Sequence, residues 1–139
     1  MADRYFSTGS RRDCDDSKPK FSRLMWTALE EVAKVHEYGD SHYGRGNWRK
    51  GQPITSTIDS GMRHAKAVLN GEDRDPKTNL LHAAHAAWNM LLVVHQQLHP
   101  AKYAALDDRM NDFGDWICKE FAETDAAKQA ERGKEPESE

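Results

Sequence analysis

Four polar side chains lie on one stripe of a segment that is otherwise almost entirely apolar. The segment LLHAAHAAWNMLLVVHQQL (80–98) contains His82, His85, Asn89 and Gln96. With about 100° of rotation per helical residue, the four side chains fall within about 60° of one another. A lone core histidine is usually just a satisfied polar group, but four aligned polar groups favour a site and a structural role equally. Imidazoles here could bind a divalent metal or hydrogen-bond to phosphate.

Carboxylates gather in the turn GEDRDP (71–76), just before this segment. Glu72, Asp73 and Asp75 offer oxygen ligands, which Mg²⁺ and Mn²⁺ prefer. The alternative is an exposed acidic turn with no ligand. Proximity to the histidines favours the site.

A second acidic group lies in LEEVAKVHEYGD (29–40), within a predicted helix. Glu30 and Glu37 are seven residues apart and share a face, and Glu31 lies one step around the helix. The alternative is a solvated face on which Glu30 pairs with Lys34.

The segment YGRGNWRKGQP (43–53) combines cations, glycines and aromatic rings between two predicted helices. Arginine and lysine can hold phosphates, and glycines let the backbone approach a ligand closely. Asn47 can hydrogen-bond to a base edge, and Trp48 can stack on it. Alternatively, Trp48 caps the core and the cations decorate a surface turn. The predicted substrate-binding residues from this region and the next helix are Tyr43, Arg45, Asn47, Trp48, Lys50 and Arg63.

The spacing of apolar residues predicts an all-α bundle of about four main helices. Their expected ranges are 20–38, 54–69, 79–98 and 101–123, and Gly39 is expected to end the first. No segment alternates with the period of a strand. Because the third helix is apolar on nearly every side, we expect a second copy to complete the bundle, in a homodimer or homotetramer.

Composition divides the chain of 139 residues into a flexible N-terminal arm (1–18), a helical domain (19–123) and a flexible charged C-terminal tail (124–139). The net charge of −3 argues against direct nucleic-acid binding. Neither a signal peptide nor a membrane-spanning run is visible, and the two cysteines lack metal-site spacing. The expected location is therefore the cytoplasm, with a small-molecule ligand.

Three segments together resemble the phage-encoded deoxynucleoside triphosphate diphosphohydrolases of the MazG-like all-α nucleotide pyrophosphatase group. They are LEEVAKVHEYGDSHYGRGNWRKG, RHAKAVLNGEDRDP and LLHAAHAAWNMLLVV, within about residues 24–95. The resemblance implies hydrolysis of a purine (d)NTP, dGTP or GTP above all, to the monophosphate and pyrophosphate. Within the group, the chain is most similar to enzymes of phages that replace adenine with 2-aminoadenine, for which dGMP is a precursor. The resemblance also implies two or three Mg²⁺ or Mn²⁺ ions per site.

The resemblance departs from the group at its metal motifs. The group pattern E-E-x-x-E reads Glu30, Glu31 and Lys34 here, so Glu37 is the candidate for the third acid. The later E-x-x-D pattern has two candidates, the Glu72–Asp75 turn and the helical pair His82 and His85, and the sequence leaves both open. The metal ligands implied by the resemblance are Glu30, Glu31, Glu37, Glu72 and Asp75.

The catalytic set implied by the resemblance is Glu31, Glu72, Asp75 and His85, with His82 and Asn89 added to the substrate-binding residues. Two other functions fit the same sequence features. One is a non-catalytic helical adaptor, and the other is a DNA-metabolism accessory protein, each contacting its partner through residues 43–53. A third alternative is a phosphohydrolase with histidine metal ligands that releases triphosphate or phosphate.

Overall fold

The fold was examined in a computed structural model, which describes residues 3–13 and 17–109. Two strands come first, β1 (Asp3–Tyr5) and β2 (Arg11–Asp13), and four helices follow. These are α1 (Trp26–Tyr43), α2 (Ile54–Leu69), α3 (His82–Leu98) and the one-turn α4 (Pro100–Tyr103). Short 3-10 turns occupy Phe21–Arg23, Asn47–Lys50 and Ala104–Leu106. The predicted all-α bundle is confirmed.

Helix α3 is the centre of the bundle and packs against α1, α2 and α4. It lies close to α2 at Gly61, where an added Cβ would be 3.3 Å from the Cβ of Asn89. The absence of a side chain at Gly61 therefore brings the polar stripe of α3 against α2. The buried apolar residues around α3 are Val35, Ile54, Ala84, Leu92, Val93 and Tyr103.

Helix α1 differs from its predicted range at both ends. It begins at Trp26, because Phe21–Arg23 forms a separate 3-10 turn and Leu24 is extended. It also continues through Gly39, whose cost of about 1 kcal/mol in a helix interior is tolerated here. Gly44, at a φ of +94°, ends the helix instead. The prediction that Gly39 is the stop was wrong.

Helix α4 is much shorter than the predicted range of 101–123. It ends at Tyr103, and residues 107–109 are not helical. The Asp108 carboxylate accepts hydrogen bonds from the backbone N–H of Thr55, at 2.9 Å, and from its hydroxyl. The chain therefore leaves the α4 axis to cap the first turn of α2. The remaining predicted helix (110–123) and the tail (124–139) lie outside the described residues.

The N-terminal region contains an antiparallel hairpin, although no strand was predicted there. Arg4 pairs with Arg12, and Gly9, at a φ of +82°, forms the turn. Strands of three residues, exposed along their whole length, lack the apolar alternation that reveals longer strands. The expectation of no strands was wrong, whereas the mobility of residues 1–18 and the domain boundaries remain predictions. No helix in the described residues combines the length and the apolar character needed to cross a membrane.

Candidate functional site

A cleft of about 540 Å³ opens between α1, α2, α3 and the loop that joins α2 to α3. This volume lies within the range usual for small-molecule sites. The side chains lining it form two groups. One combines aromatic rings with amides and a carboxylate and includes His36, Tyr38, Asp40, Tyr43, Asn47, Trp48, Gln52, Trp88 and Asn89. The other is rich in titratable groups and includes His64, Asp75, Lys77, Thr78 and His85.

Three histidines from two helices meet at the second group: His64 and His85 line the cleft, and His82 contacts His64 from outside the lining. The Nδ1 atoms of His64 and His82 are 2.8 Å apart, so one donates a hydrogen bond to the other. The rings of His64 and His85 stack, with centroids 4.5 Å apart and planes 9° from parallel. His82 and His85 are three residues apart on α3, which places both on the face that meets α2.

His82 has an unsatisfied nitrogen. Its Nε2 atom is buried and forms no hydrogen bond within the described part of the chain. The nearest opposite charge is the Glu72 carboxylate, whose Oε2 lies 3.7 Å away. A buried polar atom without a partner is costly, and such atoms often mark the place of a bound ion or water. This nitrogen and the Glu72 carboxylate are therefore free to bind a ligand.

Hydrogen bonds fix the proton on His85. The Thr78 hydroxyl lies 3.3 Å from the Asp75 carboxylate, which can only accept when ionised, so the hydroxyl donates to it. The hydroxyl oxygen then accepts from the Nε2–H of His85, at 2.9 Å. Consequently, Nδ1 is the nitrogen of His85 that can take up a proton.

Burial favours the neutral form of two of these histidines, His85 and His64. It lowers the pKa of His85, and the nearby Asp75 charge offsets only part of that effect. The pKa of His64 is lowered by burial and by the charges of His85 and His82. For Asp75, burial alone would raise the pKa, but hydrogen bonds from the Lys77 backbone and the Thr78 hydroxyl leave it lower than usual. The lowered pKa values thus favour neutral imidazoles at His64 and His85 beside an ionised Asp75 carboxylate.

The two candidates for the second metal motif turn out to be neighbours. Glu72 lies beside His82, and Asp75 lies beside His85, with a nitrogen to oxygen distance of 3.7 Å in each pair. An antiparallel bridge between Arg74 and Leu81 folds the turn back onto the start of α3. The sequence could not choose between the two pairs, and the fold joins them.

The predicted metal ligands on α1 lie apart from this cluster. Glu30 and Glu37 are exposed, and Glu31 forms an ion pair with Lys34. None of the three lines the cleft. Across residues 3–13 and 17–109, no three histidine, cysteine or acidic side chains are already arranged around a metal position. The pair Glu72 and His82 fits a divalent ion better than the α1 glutamates do, because the carboxylate lies 3.7 Å from His82 Nε2 and that nitrogen is unsatisfied.

In the aromatic group, Trp48 lies edge-on to His36 and His95, with centroids 5.9 and 4.9 Å away. The Trp88 indole donates a hydrogen bond to His36 Nδ1 at 3.1 Å. Trp48 is half-buried and also lines the cleft. Trp48 therefore packs against the bundle and also presents a ring surface to the cleft. The two alternatives for this residue, capping the core and stacking on a ligand, are thus compatible.

The segment 43–53 is held in place by the bundle. The Gln96 side chain both accepts from the Gln52 N–H, at 3.0 Å, and donates to the Gln52 carbonyl, at 2.8 Å. The Tyr103 hydroxyl donates to the Arg49 carbonyl at 2.8 Å. A Cβ on Gly51 would lie 2.6–2.8 Å from Leu106 and Tyr103. Gly51 thus allows close packing within the protein, and not the close approach of a ligand that the sequence suggested.

The predicted cations do not line the cleft. Arg45, Lys50 and Arg63 are exposed outside it. Among the described residues lining the cleft, Lys77 is the one lysine or arginine. The predicted site residues found in the lining are Tyr43, Asn47, Trp48, Asp75, His85 and Asn89.

The sequence patterns assigned no role in the site to His36, Asp40, His64, Lys77 or Thr78. Each is a single residue without a motif around it, so spacing along the chain gave no signal. One indication was available for His64. It lies on the same face of α2 as Gly61, and a small residue on a helix face indicates a close contact with another helix.

The fold and site define a small all-α protein with a cleft lined by aromatic rings, histidines and two carboxylates. A family model described as dATP/dGTP diphosphohydrolase, N-terminal, matches residues 8–109, and the chain belongs to this family. It is similar to a dATP/dGTP diphosphohydrolase of Salmonella phage PMBT28, with 37% identity over 79 residues. That stretch covers 57% of this chain and 27% of the relative, so the chain spans about a quarter of the relative's length. No solved structure matches the chain.

Proposed function

We propose that this chain is a metal-dependent diphosphohydrolase that converts a purine (d)NTP, dGTP or GTP above all, into the monophosphate and pyrophosphate. The single observation that carries the proposal is the composition of the cleft. It combines rings able to stack on a base with a histidine, threonine and aspartate relay and one lysine. Membership of the dATP/dGTP diphosphohydrolase family and the name of the phage relative support the same activity.

The substrate would bind with its base beside Trp48 and its phosphates beside Lys77. Aromatic stacking is worth about 1–3 kcal/mol per base in other nucleotide sites. The Lys77 ammonium would offset the charge of the triphosphate as a compact cation. Asn89 lines the cleft and donates from Nδ2 to the His85 carbonyl at 2.8 Å, leaving its amide oxygen to accept from the nucleotide.

Hydrolysis requires a water molecule to attack the α-phosphorus while the bond to the bridging oxygen of the β-phosphate breaks. His85 would accept the proton of that water at Nδ1, because Thr78 holds the proton of Nε2 in place. Asp75 fixes Thr78 and stabilises the imidazolium that forms. Lys77 would stabilise the charge that accumulates on the departing pyrophosphate.

The proposed metal is Mg²⁺ or Mn²⁺, which Glu72, Asp75 and the His82 Nε2 atom would hold together with the phosphates. When bound, such an ion neutralises phosphate charge and lowers the pKa of a bound water. The ligands Glu30, Glu31 and Glu37, and the number of two or three ions, remain predictions from the resemblance.

We further propose a homodimer or homotetramer. One face of α3 exposes a continuous set of large apolar side chains, with exposed fractions of 46–72%. They recur at helical spacing and so form a single stripe. Burying this stripe against a second copy would remove an apolar surface that monomeric proteins seldom leave open. The stripe consists of Met90, Leu91, Val94 and Leu98.

The resemblance to enzymes of 2-aminoadenine phages, the MazZ type, suggests the role of the product. The dGMP released would feed synthesis of the modified purine nucleotide. Because nucleoside triphosphates are held in the cytoplasm, we expect the enzyme to act in the cytoplasm of the host cell.

The deciding experiment is chromatography of products after incubating the purified chain with ribo- and deoxynucleoside triphosphates and Mg²⁺ or Mn²⁺. Equal amounts of monophosphate and pyrophosphate are expected, with purines preferred. Release of triphosphate or inorganic phosphate would favour a different phosphohydrolase. If no nucleotide is consumed with either metal, the proposal is wrong and the adaptor alternative gains support.

A further inference from the structure

Trp88 on α3 determines which ring nitrogen of His36 donates a hydrogen bond and which accepts one. The Trp88 indole N–H donates to His36 Nδ1 at 3.1 Å. An indole nitrogen can only donate, so Nδ1 carries no proton and the neutral ring must carry its proton on Nε2. His36 Nε2 is therefore a hydrogen-bond donor.

A carboxylate acceptor lies next to this donor. His36 Nε2 is 3.7 Å from Asp40 Oδ2, a distance beyond that of a hydrogen bond. The other oxygen of Asp40 accepts from the Gly46 N–H at 3.2 Å, which fixes the carboxylate at the start of the loop. Both residues line the cleft, and their side chains are 38% and 28% exposed. A donor and an acceptor thus stand side by side, and both can still bind a ligand.

The two purines present opposite patterns to such a pair. On its Watson–Crick edge guanine offers the O6 acceptor next to the N1–H donor, whereas adenine offers an amino donor next to the N1 acceptor. A donor at His36 and an acceptor at Asp40 complement guanine. Against adenine they would set donor against donor and acceptor against acceptor, which leaves desolvated polar groups unpaired.

We propose that His36 and Asp40 read the Watson–Crick edge of a guanine base, with Trp88 as the positioning residue that fixes the His36 proton. This inference rests on the proposed function, because it requires the cleft to bind a nucleotide. It concerns recognition of the base, whereas the proposed function concerns hydrolysis at the phosphates. Trp48, edge-on to His36 at a centroid distance of 5.9 Å, borders the same space and supplies a stacking surface. Sites built to hydrogen-bond a substrate group reject analogues without it by large factors, so we expect dGTP to be preferred over dATP by about 100-fold or more.

The first test needs no substitution. We compare kcat/KM of the full chain for dGTP, dATP and dITP. Hypoxanthine keeps O6 and N1–H but lacks the 2-amino group, so dITP should be used at a rate near that of dGTP. If dITP instead behaves like dATP, or dATP and dGTP are used equally, the assignment is overturned.

The second test uses matched variants. Asp40→Asn and Trp88→Phe should each lower the dGTP to dATP preference at least tenfold, the first by changing the acceptor and the second by freeing the His36 proton. The controls are Asp59→Asn, an exposed carboxylate outside the cleft, and Trp26→Phe, an exposed ring, and both should keep the wild-type preference. Unchanged preference in Asp40→Asn, with a native circular dichroism spectrum, would overturn the proposal.

Binding separates this inference from the proposed reaction. The affinities of dGMP and dAMP for the wild-type chain can be measured by quenching of tryptophan fluorescence, whether or not hydrolysis occurs. Tighter binding of dGMP, lost in Asp40→Asn, would support the assignment even if no pyrophosphate is released. Equal binding of the two monophosphates would refute it even if hydrolysis is observed.

Discussion

The His85 Nε2 atom and the Thr78 hydroxyl oxygen are 2.9 Å apart and join α3 to the loop before it. This bond determines which nitrogen of His85 is basic, since the Thr78 hydroxyl donates its own hydrogen bond to Asp75 and accepts the one from His85. A side chain in the loop thereby controls the chemistry of a residue in a helix.

Removing the Thr78 hydroxyl is expected to slow hydrolysis. Thr78→Val keeps the side-chain shape but no longer fixes the His85 proton, and we expect kcat for dGTP to fall by about 10–100-fold. Thr78→Ser retains a hydroxyl and should keep most of the activity. Steady-state kinetics with both variants measures the difference. Equal rates for the valine and serine variants would show that the relay has no role in turnover.

Lys77 is expected to act on the triphosphate and not on the base. Lys77→Gln should raise KM for dGTP about tenfold or more, the cost of losing one charged contact, while the affinity for dGMP changes much less. Lys50→Gln removes a cation that lies outside the cleft and serves as the comparison. A larger effect at Lys50 than at Lys77 would mean that the loop moves over the phosphates on binding.

The buried histidines should make the metal-free protein less stable in acid. The pKa values of His64 and His85 are lower in the fold than the ordinary 6.5, so between those values the unfolded chain binds more protons. Stability is therefore complete above about pH 6.5 and falls as the pH drops through the lowered values. Urea unfolding between pH 5 and 8 in the presence of EDTA measures this dependence. The double variant His64→Gln and His85→Gln should have a shallower slope, and an identical slope would contradict the explanation.

Imidazole ligands should make the enzyme favour Mn²⁺ over Mg²⁺. Imidazole binds Mn²⁺ more readily than Mg²⁺, which prefers oxygen ligands alone. We therefore expect higher activity with Mn²⁺ at equal low concentrations and its complete loss on addition of EDTA. Replacing His82 by Gln should reduce the advantage of Mn²⁺. An equal response to both ions before and after that change would exclude His82 as a ligand.

Two glycines with similar backbone conformations offer a matched test of packing at the loop. Gly44 has φ and ψ of 94° and 142°, and Gly51 has 78° and 170°, a region that side chains avoid at a cost of about 1–3 kcal/mol. An added methyl group meets nothing at Gly44 but clashes with Tyr103 and Leu106 at Gly51. Gly51→Ala should therefore lower Tm more than Gly44→Ala does. Similar values for the two variants would show that backbone strain alone determines the effect.

The sequence predicted the helical polar stripe well, because the angular spacing of residues on a helix follows from its geometry alone. His82, His85, Asn89 and Gln96 are all buried, with exposed fractions of 3–8%. What the spacing could not reveal is that the stripe has two uses. His82 and His85 meet the loop carboxylates, whereas Gln96 binds the backbone of Gln52.

The loops were harder to predict, because their conformations depend on contacts between residues far apart in sequence. Tyr103 and Arg49, 54 residues apart, share the hydrogen bond that fixes the basic segment. That segment consequently turns Arg45 and Lys50 away from the cleft, while Lys77, in a loop with no phosphate-binding pattern, lines it. The same limit applies to α1, where local breaking signals suggested a stop at Gly39 but packing carries the helix on to Tyr43.

The two hydrogen bonds between Gln96 and Gln52 also affect the rate at which a nucleotide is bound. A segment already fastened in the empty protein loses little conformational entropy when a ligand arrives. Stopped-flow traces should accordingly follow one exponential whose rate rises in proportion to nucleotide concentration, whereas a gate that closes after docking would make that rate level off.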